Sequence, residues 1–162
     1  MAVPRDSHMV TESQLYVPKL PPLHESQQKV FDSDARWKIL CAGRRFGKTR
    51  LGVQMCMEVA LRGGRAWWVA PTFAIARVGW RALESAALSF PKEIEPKISI
   101  ANMEVQFPNG GFIACKSADN PQRLRGEGLD FIVIDEAAFV KPEVWQEVLR
   151  PTLTERKGGA LF

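Results

Sequence analysis

The sequence has 162 residues, 46% hydrophobic and 25% charged, with a formal charge of +4 and a pI near 9.1. That length suits one compact core and leaves no room for a second full domain, and the ordinary globular composition excludes wholesale disorder. The mild basic surplus fits a polyanionic partner, and equally a solvated surface slightly rich in Lys and Arg.

Met1–Met9 (MAVPRDSHM) read as a vector-derived protease-site scar, which leaves residues 10–162 for the fold. A lead-in with Pro18, Pro21 and Pro22 precedes a short polar helix from His24 to Phe31. Trp37 to Ala42 (WKILCA) is an apolar run ending at Gly43, which predicts a buried strand. Lys48 to Leu61 carries Leu51, Met55 and Val59 at helical spacing and stops at Gly63-Gly64. Ala66 to Ala70 (AWWVA) predicts a strand stopped by Pro71. A helix comes next with an apolar face of Ile75, Val78, Ala82 and Leu83, running towards Phe90. Ile98 to Phe107 alternates, Pro108-Asn109-Gly110-Gly111 turns, and Phe112 to Cys115 returns as a hairpin. Phe131 to Ile134 is the next central strand, Lys141 to Leu149 a helix, and Ala160-Leu161-Phe162 the start of one more strand. Strands alternating with helices predict an α/β fold, a mostly parallel central sheet with helices on both faces.

Cys41, Cys56 and Cys115 are far apart and odd in number, with no zinc-type spacing. Free thiols in a reducing cytoplasm fit them best. No apolar run approaches the roughly 20 residues that span a bilayer, so no membrane partner is expected.

Two segments carry chemistry. Ala42-Gly43-Arg44-Arg45-Phe46-Gly47-Lys48-Thr49 follows a strand and opens a helix. It matches the phosphate-loop pattern G-x-x-x-x-G-K-[ST] at every position except the first, which is Ala42. In such a loop, backbone N–H groups converge on phosphate oxygens and glycine allows close approach. Lys48 would bridge the β- and γ-phosphates, and the Thr49 hydroxyl would ligate Mg²⁺. Later in the chain, Phe131 to Glu136 is an apolar strand ending in two acids, the Walker B form. Asp135 would hold Mg²⁺ through water, and Glu136 would act as general base on the attacking water. A chance Gly-Lys-Thr, or a buried strand with solvated acids at its end, explains each segment singly. Both together, in the right order, point to a P-loop NTPase that hydrolyses ATP with Mg²⁺. The Glu sets the chain apart from switch GTPases, which usually lack it there.

These residues resemble the large terminase subunit, the DNA-packaging ATPase of tailed bacteriophages. Arg44 to Thr49 is similar to that family's arginine-bearing Walker A variant, and Trp68 to Thr72 to its Ala-Pro-Thr element. Leu124-Arg125-Gly126, Leu129-Asp130 and the Walker B strand with Ala137-Ala138 form the most characteristic run. Trp145 and Arg150 to Leu153 are similar to the family's helix and exit after that strand, so the resemblance covers roughly Leu23 to Phe162.

The resemblance implies the additional-strand catalytic-Glu type of P-loop fold and a role for each matched position. Gln27 would read the adenine edge; the bland alternative is a solvated glutamine beside Gln28. Arg44 would touch the γ-phosphate in cis, while Arg45 would either join the ATP-binding loop with Gly43, Phe46 and Gly47 or face solvent. Arg125 would be an arginine finger reaching a neighbouring subunit's ATP; otherwise it is a surface arginine beside Arg123. The implied catalytic set is Glu136, Arg44, Arg125 and Lys48. The implied partners are double-stranded DNA bound non-specifically, a portal protein, a small terminase subunit and copies of the chain in a ring, with a monomer in solution. The implied location is the host cytoplasm, transiently at the procapsid portal vertex. The family's coupling motif and nuclease domain do not occur in the sequence, so this would be a piece of a longer ATPase without nuclease activity. A helicase-type ATPase is the nearest alternative, although Ala-Ala after Asp135-Glu136 departs from the usual helicase continuation. A non-hydrolysing nucleotide-binding or assembly module is the alternative from another class.

Overall fold

The computed structural model describes residues 20–162, so the scar expected at Met1–Met9, and Pro18 of the lead-in, lie outside the described residues. A seven-stranded sheet runs through it in the order β1-β7-β6-β2-β5-β4-β3. The strands are β1 (Trp37–Lys38), β2 (Arg65–Ala70), β3 (Lys97–Ser99), β4 (Glu104–Gln106), β5 (Phe112–Ser117), β6 (Phe131–Ile134) and β7 (Gly159–Leu161). From β1 across to β5 every pairing is parallel, and β5-β4 and β4-β3 are antiparallel. The mostly parallel α/β sheet expected from the sequence is therefore present, with an antiparallel meander on one edge.

The central strands are apolar along their length because they are covered twice. On one face α2 (Lys48–Leu61) and α3 (Phe73–Ala87) pack over Ala66, Trp68, Ala70 and Val133. On the other, Trp67, Val69, Ile132 and Ile134 meet Leu124, Leu129, Val148, Leu149 and Leu153. Leu124 comes from the 3₁₀ turn Pro121–Leu124, Leu129 from the loop before β6, Val148 and Leu149 from the π-helix Val144–Leu149, and Leu153 from the end of its continuation Arg150–Thr152. Helix α1 (Glu25–Phe31) stands before β1.

Four expectations need correction. The strand at Trp37 to Ala42 is an edge strand, not a buried one. Among the described residues its only neighbour is β7, pairing continues just to Leu40 N–H on Phe162 O at 2.8 Å, and Ile39 is 84% exposed. The face of α3 is Ala76, Gly79, Trp80, Leu83, Ala86 and Ala87, whereas Val78 is 57% exposed. Small residues are needed there because Trp68 fills the space beneath: a Cβ at Gly79 would collide with its indole Nε1. The alternating stretch from Ile98 to Phe107 is two strands, broken by a turn at Ile100–Met103 in which Met103 has φ +53°. The helix expected from Lys141 starts at Pro142 and is π-wound from Val144 to Leu149.

All three cysteines are free, Cys41 exposed and Cys56 and Cys115 buried. Among the described residues no helix is long and apolar enough to cross a membrane.

Candidate nucleotide site

The loop between β1 and α2 ends on Gly47, which takes φ +85° at the N-cap of α2 and makes no side-chain cap. The first N–H groups of this 14-residue helix are therefore left without side-chain partners at a helix end that favours anions. Lys48 Nζ donates to Ala42 O at 2.9 Å, across the loop. Arg45 holds φ +67°, unusual for a residue with a Cβ.

Strand β6 ends beside this loop. Asp135 N–H donates to Val69 O at 2.8 Å, so the ladder to β2 holds as far as the first acid. Glu136 then takes left-handed φ +49° and ψ +45° and starts the 3₁₀ turn Ala137–Phe139. A non-glycine residue held there is strained by about 1 kcal/mol or more, a feature that clusters at functional sites.

Lys48, Asp135 and Glu136 line two adjoining clefts. The larger, about 570 Å³, is walled by Gly43, Arg45, Gly47, Thr49, Ile75, Val78 and Phe139 as well. The second, about 380 Å³, reaches Ile39, Leu40, Trp68 and Phe162. Val78, exposed and off the core face of α3, is thus a wall of the first cleft.

The half-buried Asp135 carboxyl sits above its usual range. Burial is the main cause and the Glu136 charge the next. The Glu136 N–H, donating at 3.1 Å, and the Lys48 charge oppose the rise. So does the buried Trp68 indole N–H, which faces the carboxylate without the geometry of a full hydrogen bond. Two acids so placed favour a cation. Magnesium takes hard oxygen ligands and keeps several waters, binding through one or two carboxylates plus substrate phosphates. The Thr49 hydroxyl and the Asp135 carboxylate fit that demand. Among the described residues no cluster of three His, Cys, Asp or Glu side chains offers an all-protein cage.

Of the remaining expected site residues, Arg45 lines the larger cleft, while Arg44 is exposed and lines neither. Arg125 is also exposed, directly after the 3₁₀ turn Pro121–Leu124, and lines neither cleft. Gln27 requires a correction. It is only 1% exposed, so it is not a solvated glutamine. Its amide is engaged by the loop: Nε2 donates to Phe46 O and Gly47 O, both at 3.0 Å, and Oε1 accepts His24 N–H at 3.0 Å. In this arrangement no N–H of Gln27 remains for an adenine edge. Sequence reasoning missed His24 and Trp68. His24-x-x-Gln27 has the spacing of a capping box, and that signal was available in the sequence.

The family model for the N-terminal part of T4-like terminase large subunits matches residues 39–158. The chain belongs to the terminase large subunit family. The large terminase subunit of Thermus virus P23-45 is 32% identical over 158 residues, covering 86% of this chain and 33% of that protein. The ATPase domain of the Thermus phage P74-26 large terminase superposes with a TM-score of 0.74 at 31% identity, over 85% of this chain and 62% of that one. The large terminase of bacteriophage D6E, solved in complex with ADP, shares the fold with a TM-score of 0.68 at 18% identity, over 87% of this chain and 38% of that one. This terminase chain thus spans about a third of the length of these curated relatives. Membership sets aside the helicase-type alternative. The family match includes the loop, Arg125, Asp135 and Glu136, and it begins after His24 and Gln27.

Proposed function

We propose that this chain is the ATP-hydrolysing core of a viral DNA-packaging motor. The observation that carries the reading is the meeting of Lys48, Thr49, Asp135 and Glu136 on one cleft, at the head of α2 and the end of β6. The triphosphate lies along the loop, held by backbone N–H groups and by Lys48. Glu136 orients a water and takes its proton as the oxygen attacks the γ-phosphorus, the bond to the β-phosphate oxygen breaks, and ADP and phosphate leave. Thr49 and Asp135 would hold magnesium, which would neutralise charge on the phosphate oxygens. Arg45 is the loop arginine better placed to share that task, because it lines the cleft and Arg44 does not. Arg125, exposed and off the cleft, serves as a finger only towards a neighbouring copy in a ring.

The intact assembly moves double-stranded DNA through a portal, aided by a small subunit, in the host cytoplasm. Contacts to DNA are Lys and Arg to phosphate, so binding is non-specific and falls steeply with salt. We assign this chain no nuclease role. Calorimetric titration with Mg-ADP and with a slowly hydrolysed ATP analogue tests the site. Wild type binds both and Lys48→Ala binds neither; a wild-type chain that binds neither defeats the reading.

A further inference from the structure

Helix α1 contributes no reacting group, yet its first turn is fastened to the phosphate loop. His24 caps the helix: its Nδ1 accepts Gln27 N–H at 3.3 Å, and Gln27 Oε1 accepts His24 N–H in return. The other ring nitrogen, Nε2, lies 3.0 Å from Phe46 O. The two rings meet edge to face, with centroids 4.9 Å apart. Because Nδ1 accepts, the hydrogen-bond pattern assigns the proton of the neutral ring to Nε2, which donates to Phe46 O. Gln27 Nε2 adds its two bonds, to Phe46 O and Gly47 O. Space is matched as well, since a Cβ at Gly47 would collide with Gln27 Nε2.

The consequence is directional. Across a trans peptide, the carbonyl of one residue and the N–H of the next point in opposite directions. Every peptide among the described residues is trans. Drawing the Phe46 and Gly47 carbonyls towards α1 therefore turns the Gly47 and Lys48 N–H groups away from α1. Gly47 and Lys48 both line the larger cleft, so these are the donors a phosphate would meet. A single histidine thus serves the helix through one nitrogen and the loop through the other.

We propose that His24 is a positioning residue of the phosphate site, fixing the Phe46–Gly47 peptides so that the Gly47 and Lys48 amides are preset for phosphate before nucleotide arrives. This rests on Gly43–Thr49 being the phosphate loop. His24→Ser separates the two duties: serine remains a good helix cap but is too short to reach Phe46 O. We expect its thermal unfolding to stay near wild type while Mg-ADP affinity falls about threefold to tenfold, the worth of a hydrogen bond. The ligand-free Gly47 and Lys48 amide resonances should shift in the same variant. A His24→Ser chain that binds Mg-ADP like wild type, with both resonances in place, overturns the proposal. That holds even if His24→Ala binds weakly, because the loss then belongs to the cap alone. Wild-type protein gives a check without any variant: ¹⁵N spectra of the ring should show the proton on Nε2, and a proton on Nδ1 instead overturns the assignment. A wild type that fails to bind Mg-ADP removes the site reading and this inference together, whereas wild-type binding with unaltered His24→Ser removes the inference alone.

Discussion

The two ends of the parallel sheet use the same residue types in opposite ways. Where β2 and β6 begin, Asp130 accepts the Arg65 backbone N–H at 2.7 Å and meets Arg156 at 3.4 Å, while Arg65 pairs with Glu127 and lies over the Phe112 ring. Arg36 donates to Gly158 O and Leu153 O close by. Where the same strands end, Asp135 and Glu136 stand together with no salt bridge to any described residue, Lys48 rests on a loop carbonyl, and Arg45 and Glu136 hold left-handed backbone. Charges at the first end are consumed by the fold. At the second they are left open at the cost of some stability, as expected of residues kept for a ligand.

Substitutions at the two ends should therefore differ in kind. The largest effect belongs to Glu136→Gln, whose amide cannot take the water's proton. Steady-state turnover should fall about 10²- to 10⁴-fold while Mg-ATP binding persists, and undiminished turnover would remove Glu136 from the role of base. Next comes Gly79→Ala, which pushes a methyl group into the Trp68 indole beneath the cleft. Denaturant unfolding should show a loss of about 1–3 kcal/mol, the usual cost of overpacking. A wild-type midpoint would mean α3 is free to move off Trp68. Asp130→Asn weakens the bonds to Arg65 and Arg156 and should cost about 1–2 kcal/mol with nucleotide binding intact; impaired binding would contradict its purely structural assignment. The smallest effect has the opposite sign. Because the folded-state pKa of Asp135 is raised, the folded protein binds the proton more tightly than the unfolded chain. Stability is then lost as pH rises from the ordinary carboxylate value through the folded one. Asp135→Asn should thus be slightly more stable than wild type at neutral pH, by less than about 1 kcal/mol for a half-exposed group. The gap should close below the ordinary carboxylate pKa, and a variant less stable at neutral pH would refute the burial argument.

Much of this was legible in the sequence, and the failures share a cause. AWWVA and FIVI read as buried strands because both faces of central strands are apolar, and the structure keeps them so. WKILCA has the same character but forms the edge strand, since hydropathy carries no information about how many neighbours a strand acquires. On α3 the larger side chains suggested the face, yet the core selected Ala76 and Gly79 because the bulk is supplied by Trp68 from the sheet. The loop and the acids of the site were readable because their chemistry demands fixed residue types at short spacing. Gln27 was found, but its burial against the loop was not: the sequence shows an amide near the loop, and only folding shows which groups it meets.

The central claim is that Asp130 belongs to the fold and Asp135 to a ligand. Thermal unfolding of wild type, Asp130→Asn and Asp135→Asn, each with and without saturating Mg-ADP, tests it most directly, because a ligand bound only by the folded state raises its stability. The account predicts that Asp130→Asn starts lower and gains the full wild-type increment from Mg-ADP. Asp135→Asn should start at or above wild type and gain much less. If Asp135→Asn gains the full increment, or Asp130→Asn loses it, the division between the two ends of the sheet is wrong.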